Sequence, residues 1–275
     1  MLTRLIPATG EAMPVIGLGT WQTFDVGDNQ AIRPALRQVL DRLFEAGGTM
    51  IDSSPMYGTA EAVTGELLAA MGTRPKAFLA TKVWTSGRDQ GIAQMRQSAQ
   101  RFRSPVVDLM QIHNLVDWQT HLKTLRAMKA RGEIRYLGIT HYTTGSLPAL
   151  ADIIAQEPID FVQLGYSIET RDAEQRVLPL CADRKVAVIV NQPFESGGLF
   201  RKVRGKALPP WATEIDCTSW AQLFLKYVVA HPAVTCVIPA TDKPQNMADN
   251  AKAGFGTVPD TKRRQQMAAF WDGLA

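Results

Sequence analysis

The sequence predicts an α/β protein of one domain over residues 1–275: a (β/α)8 barrel of the TIM type with an N-terminal β-hairpin and an extra C-terminal helix. Three observations lead there. Apolar runs rich in Val, Ile and Leu alternate with segments of helical period along the whole chain. Such near-continuous runs mark strands buried on both faces, as in a parallel sheet covered by helices. Eight units of this kind fit a closed barrel better than an open sheet, and no G-x-G-x-x-G follows any run as a Rossmann domain would require. Finally, Asp52, Tyr57, Lys82 and His113 close or follow three successive runs, with spacings of 25 residues from Tyr57 to Lys82 and 31 from Lys82 to His113. In a barrel the C-terminal strand ends and the loops after them share one face, where active sites lie. Four ionisable groups at that end converge.

The elements follow in order. LTRLI and MPVIG flank the turn-rich ATGE and read as a short hairpin, after which MPVIGLGTW runs on as the first core strand. The first helix covers 31–46. Leu36, Val39, Leu40, Leu43 and Phe44 form its core-facing stripe, Pro34 sits in its first turn, and Gly47-Gly48 stop it. TMID is the second strand and 61–71 the second helix. AFLATKVW is the third strand, 89–103 the third helix, and VVDLMQIH the fourth strand. Asp117 caps the next helix, whose face carries Leu122, Leu125 and Met128 and whose stop is Gly132. IRYLGI, DFVQLGY, VAVIVNQP and TCVIPA supply strands five to eight. Helices near 146–156, 174–184, 219–231 and 244–252 separate or follow them, and a last helix, 260–271, lies beyond the eighth unit.

Composition narrows the function. The net charge is +4, with basic residues scattered and no basic run interleaved with aromatics, so no nucleic-acid partner is expected. No stretch reaches the ~18 apolar residues of a membrane helix. The opening MLTRLIPATGEAMP has no apolar h-region, so no signal peptide is expected in the sequence as given. Cys181, Cys217 and Cys236 are odd in number and widely spaced, which makes neither a disulfide framework nor a metal cluster and fits a reducing compartment. A cytoplasmic protein, monomeric or weakly oligomeric, with a small-molecule partner and no metal is the expectation.

Each of the four polar residues has an ordinary reading alone: Asp52 a capping carboxylate, Lys82 an ion-pair partner at the barrel mouth, His113 a satisfied core histidine, Tyr57 a packing residue. His121, on a helix, and His231, at a helix end, read as structural. The combination is more specific. GLGTW (17–21), GGTMIDSSPMYG (47–58), FLATKVW (78–84), VVDLMQIH (106–113), IRYLGIT (134–140), FVQLGYS (161–167) and VIPATDKPQNMADN (237–250) run in the order found in aldo-keto reductases, and the chain resembles that family through nearly its whole length.

The resemblance implies a barrel that binds an extended nicotinamide dinucleotide and reduces an aldehyde or ketone to an alcohol. Hydride transfer leaves an alkoxide that needs a proton. Tyr57 is the implied acid, but a free phenol has a pKa of ~10. The Lys82 ammonium is expected to lower that value, with Asp52 holding Lys82 charged and aimed, and His113 orienting the carbonyl oxygen. Around the cofactor the resemblance implies Thr20, Trp21 and Asp52. Thr140, His141 and Gln163 are implied at the carboxamide, with Thr140-His141 standing where relatives often have Ser-Asn. The aromatic that usually stacks on the nicotinamide is absent from VIVNQPF; Asn191 or Gln192 takes that position, or Phe194 reaches in. Pro193, Phe194, Ser196 and Leu199 belong to the Gly-rich stretch 193–199, read as a backbone cradle for the pyrophosphate or as a plain flexible loop. Pro239, Thr241, Lys243, Asp249 and Asn250 belong to the eighth segment.

The two cations that usually serve the 2′-phosphate are replaced by Ala240 and Asn246. Lys243, ahead of a helix opened by Pro244, is the substitute, or else a solvated surface charge. NADPH is therefore the first choice, with NADH kept open. Trp21, Phe24, Met56, Trp84, His113 and Asn114 are expected around a carbonyl substrate. Residues 200–216 read as a lid anchored by Trp211 or as a loop packed on the barrel. Two other readings differ in class: a non-catalytic nicotinamide-binding sensor or accessory subunit, and a barrel isomerase or aldolase that uses Lys82 as a Schiff base.

Overall fold

In the computed structural model, which describes residues 1–274, eight parallel strands curl into a barrel. The chain opens with the antiparallel hairpin β1 (Thr3–Leu5) and β2 (Ala12–Pro14). The barrel strands are β3 (Leu18–Gly19), β4 (Met50–Asp52), β5 (Phe78–Val83), β6 (Val107–His113), β7 (Ile134–His141), β8 (Phe161–Gly165), β9 (Ala187–Asn191) and β10 (Val234–Val237), each paired with its neighbour in sequence. The ends meet through Gly17 N–H donating to the Val237 carbonyl (2.9 Å) and Val237 N–H donating to that of Val15 (2.9 Å). Gly19 is needed at this seam, because a Cβ there would stand 2.9 Å from the Ile238 carbonyl oxygen.

The helices are α1 (Arg33–Glu45), α2 (Ala60–Met71), α3 (Arg88–Arg101), α4 (Trp118–Ala130), α5 (Leu147–Gln156), α6 (Val177–Arg184), the short α7 (Gly198–Lys202), α8 (Trp220–Val229), α9 (Pro244–Lys252) and α10 (Thr261–Asp272). The stripe read from the sequence of α1 is its inner face: Leu36, Val39, Leu40 and Leu43 are buried. Asp117 does not cap α4 with its side chain. It adopts φ 46°, and its carboxylate accepts from Gly87 N–H (2.8 Å), tying the loop before α3 to the loop before α4.

Two apolar clusters form. The larger fills the ring between strands and helices. The smaller lies inside the barrel, where Ile6 and Met13 of the hairpin region join Met50, Phe78, Leu109, Tyr136 and Phe161. The hairpin thus closes one end, fixed by Glu11, which bonds the Tyr136 hydroxyl (2.6 Å) and pairs with Arg135.

At the C-terminal end of the chain, Arg264 and the Tyr227 hydroxyl reach Glu174 at 2.7 and 3.0 Å, pinning α10 to α8 and to the turn before α6. Residues 200–216 pack on the barrel: Trp211 meets Phe270 edge-on, ring centroids 5.6 Å apart, beneath Arg263.

Candidate active site

Side chains on a strand alternate between its two faces. That period sorts the barrel interior by height. Met50, Phe78, Leu109, Tyr136, Phe161 and Ala187 form the apolar lower layers, and the same phase carries Asp52, Lys82, Gln111, His113, Thr140, Gln163 and Asn191 at the upper end. Charge therefore gathers at the strand ends, above an apolar floor.

Lys82 and Asp52 make the central pair. Lys82 is fully buried; its Nζ donates to Asp52 Oδ2 (2.7 Å) and to the Ser53 carbonyl (2.7 Å). Asp52 Oδ1 accepts from Gln163 Nε2 (2.8 Å) and Gln111 Nε2 (3.2 Å). The ammonium sits 5.1 Å from the centroid of the Tyr57 ring. Burial alone would lower the pKa of Lys82, but the attraction of Asp52 and of the Tyr57 oxygen reverses this and holds it above the usual lysine value.

Tyr57 differs from expectation. Burial pushes its hydroxyl above the usual phenol range, and the Lys82 ammonium pulls the other way without reversing the rise, to which Asp52 adds. The expected net lowering is overturned because desolvation of a tyrosinate outweighs one ammonium already shared with Asp52. Tyr57 is held protonated. The His113 ring lies 6.0 Å from that of Tyr57, edge to face. Burial, the Lys82 ammonium and then His141 push His113 down to about 3, so its imidazole is neutral. Its Nδ1 lies 2.9 Å from Ser54 Oγ.

These groups open on a cavity of about 550 Å³, within the range of small-molecule sites. Of the residues expected there, Thr20, Trp21, Asp52, Met56, Tyr57, His113, Asn114, Thr140, Gln163, Gln192, Pro193, Phe194, Ser196 and Pro239 line it. Thr20 Oγ1 donates to the Asp52 carbonyl (2.9 Å), joining β3 to β4. Lys82 lies directly behind the wall.

Other expectations fall elsewhere. Phe24 and Leu199 are fully buried in the core between strands and helices, so neither meets a ligand. His141 is out of phase with Thr140 on β7. It stacks on Tyr142, which takes the cavity-lining place, and its Nδ1 accepts from Thr143 N–H (3.3 Å). Trp84 stays off the wall, its ring 6.3 Å from that of His113. Asp249 is engaged by the Ser219 hydroxyl and Gln222 Nε2, both at 2.5 Å, at the start of α8, and Asn250 is buried beside it. Thr241 is buried and caps back to Lys243 N–H (3.1 Å), while the Lys243 side chain is exposed at the first turn of α9, outside the cavity wall. In the stretch 193–199 the amides of Glu195 and Gly197 bond back to Gln192 (3.0 Å) and Phe194 (2.9 Å), while Ser196 and Gly197 line the cavity.

The sequence reading passed over Gln22, Gln111, Tyr142 and Phe200. Gln111 was open to discovery, since it stands two residues before His113 on a strand.

The sequence and the fold match known proteins. A family model described as "Aldo/keto reductase family" matches residues 15–269. The chain belongs to the aldo/keto reductase family. Among curated relatives of this reductase, the methylglyoxal reductase YeaE of Escherichia coli is 26% identical over 245 residues, 86% of this chain and 84% of its own. Among solved structures, an aldo/keto reductase from Klebsiella pneumoniae in complex with NADP and acetate superposes with a TM-score of 0.80 at 25% identity, covering 95% of this chain and 93% of that one. A second Klebsiella pneumoniae aldo-keto reductase gives 0.82 at 24% identity, covering 98% and 96%, a likeness of fold.

Proposed function

We propose that residues 1–275 act as one NADPH-dependent reductase that converts a small aldehyde or ketone to its alcohol, with Tyr57 as the proton donor. The observation that carries the reading is the convergence of a protonated tyrosine, a neutral histidine and a buried lysine–aspartate pair on one cavity: Lys82 Nζ is 2.7 Å from Asp52 and 5.1 Å from the centre of the Tyr57 ring.

A network of amides supports a nicotinamide in that cavity. Asp52 is an anion, so the amide nitrogen of Gln163 faces it and its Oε1 faces the other way, accepting from Thr140 (3.4 Å) and from Asn191 Nδ2 (3.3 Å). The Asn191 oxygen is then left buried and, among the described residues, without a partner in a residue of the cavity wall. A buried acceptor of this kind calls for a donor, and the amide N–H of a nicotinamide carboxamide is one. The family relative from Klebsiella pneumoniae that carries NADP is consistent with this cofactor. When bound, the nicotinamide supplies the hydride.

The chain's own residues do the rest. Tyr57 donates its proton to the carbonyl oxygen as charge develops there. Neutral His113 offers a second hydrogen bond to that oxygen. Lys82 stabilises the tyrosinate left behind, and Asp52, held by Gln111 and Gln163, keeps Lys82 charged and in place. Trp21, Met56 and Asn114 wall the substrate side.

The test is consumption of NADPH with 4-nitrobenzaldehyde, by wild type and by Tyr57→Phe. The substitution is expected to cost at least ~100-fold in kcat, the size usual for general acid catalysis, with NADPH affinity by fluorescence titration nearly unchanged. Near-normal turnover in Tyr57→Phe would remove Tyr57 from the role. A wild type that binds NADPH without turning over any carbonyl compound would make the protein a nicotinamide-binding module, and a borohydride-trapped adduct on Lys82 would make it a Schiff-base enzyme.

A further inference from the structure

Ser54 stands between Asp52 and Tyr57 in the segment D-S-S-P-M-Y, and its side chain is fully buried. Its Oγ lies 2.9 Å from His113 Nδ1 and accepts weakly from the Met56 backbone N–H at 3.4 Å. A hydroxyl has one hydrogen and two lone pairs, and a neutral imidazole has one N–H and one bare nitrogen. Met56 occupies a lone pair of Ser54, so the hydroxyl hydrogen still needs an acceptor. Among the described residues the acceptor it meets is Nδ1 of His113.

The opposite arrangement fails. With the proton on Nδ1, Ser54 Oγ receives two donors, from Met56 and His113, and its own hydrogen stays buried with nothing to bond. An unmade buried hydrogen bond is the costly outcome. Double protonation of the ring is ruled out at neutral pH, because His113 has been pushed to about 3.

We propose that Ser54 is a positioning residue: its hydroxyl donates to Nδ1 of His113, holds the single imidazole proton on Nε2, and so makes His113 a donor toward the cavity. Nε2 has no protein partner among the described residues, and His113 lines the cavity beside Tyr57. The choice between the two neutral tautomers stands on the hydrogen-bond geometry. Its catalytic consequence rests on the reductase reading. There, Tyr57 and His113 both donate to one carbonyl oxygen; the other tautomer would set a nitrogen lone pair against the oxygen lone pairs.

The experiment is a long-range proton–nitrogen correlation spectrum of the full chain labelled with ¹⁵N at its four histidines, with His113 assigned by loss of its signals in His113→Asn. Wild type at neutral pH is expected to show a protonated Nε2 and a bare Nδ1 whose resonance is shifted by an incoming hydrogen bond. In Ser54→Ala that resonance moves toward the value of an unbonded nitrogen, and the two tautomers begin to exchange. Ser54→Thr, which keeps the hydroxyl, restores the wild-type pattern. In parallel, kcat for an aldehyde falls about three- to tenfold in Ser54→Ala, the effect of one neutral hydrogen bond, with NADPH affinity unchanged, and recovers in Ser54→Thr.

A wild-type proton on Nδ1, or an Nδ1 resonance that does not move in Ser54→Ala, overturns the proposal. A moved resonance with full turnover overturns its catalytic half. The wild-type spectrum gives its answer even if Ser54→Ala does not fold. If wild type reduces no carbonyl compound, the reductase reading fails while the spectra still decide where the proton sits.

Discussion

A protonated tyrosine and a neutral histidine set the pH behaviour of this site. On the proposed mechanism reduction requires Tyr57 to carry its proton, and burial raises its pKa. Loss of turnover on the alkaline side should therefore begin above the ordinary phenol value of ~10. On the acid side His113 titrates at about 3, so the profile should stay flat across about pH 5–8, where an ordinary histidine changes charge. A pH–rate profile of kcat checks both; an acid limb centred near ~6.5 that is lost on substituting His113 would show the ring to be more solvated than its burial implies. Lys82→Met removes the ammonium that opposes the rise at Tyr57. Turnover should then fall, and the alkaline limb of the pH–rate profile should move to still higher pH. An unchanged pH–rate profile would mean that Lys82 does not act through Tyr57. The variant also strands Asp52, and breaking a buried pair costs about 3–5 kcal/mol, so a denaturant titration belongs beside the kinetics.

At the scale of elements, most of the molecule is readable from the sequence. The barrel strands are apolar runs, helices such as α1 and α8 carry a buried stripe, and periods of 2 and 3.6 are local properties. Asp52, Lys82 and His113 could be placed because strand ends in a barrel share a face. Orientation within a strand end was harder. His141 follows Thr140 directly and so takes the other phase, a distinction that motif matching passes over. Asp249 is occupied by Gln222, a partner on another helix that no local pattern announces. The shift at Tyr57 depended on how much water the fold removes. The cofactor's 2′-phosphate is a further question at this scale, since Lys243 sits exposed where α9 begins. If it reads that phosphate, Lys243→Ala should weaken NADPH binding about ten- to a hundredfold, the span of a charge-assisted contact of roughly 1.5–3 kcal/mol. NADH binding should barely change, and the difference should shrink as salt screens the pair. Fluorescence titration of both cofactors tests this. Equal binding of NADH and NADPH by wild type would end the NADP preference.

On the scale of the whole molecule, the barrel is closed at one end by the hairpin and open at the other, and α10 lies across the outside. Rings connect that helix to the cavity: Phe194 of the wall meets Phe200 (4.9 Å), Phe200 meets Phe224 (5.7 Å), and Phe224 meets Trp271 (5.3 Å). Trp271 is 1% exposed, with the Lys202 ammonium 4.4 Å over its ring. Trp271→Ala should cost about 3–5 kcal/mol of stability, as large-to-small core changes do, measurable by urea titration. A loss below ~1 kcal/mol would show that α10 is a loose attachment.

This chain of rings has a consequence in time. Phe194 and Phe200 belong to the cavity wall, and they can swing only if Phe224 and Trp271 let them. If the rings move together, loosening Trp271 should let a bound molecule leave faster while the chemistry at the strand ends is unchanged.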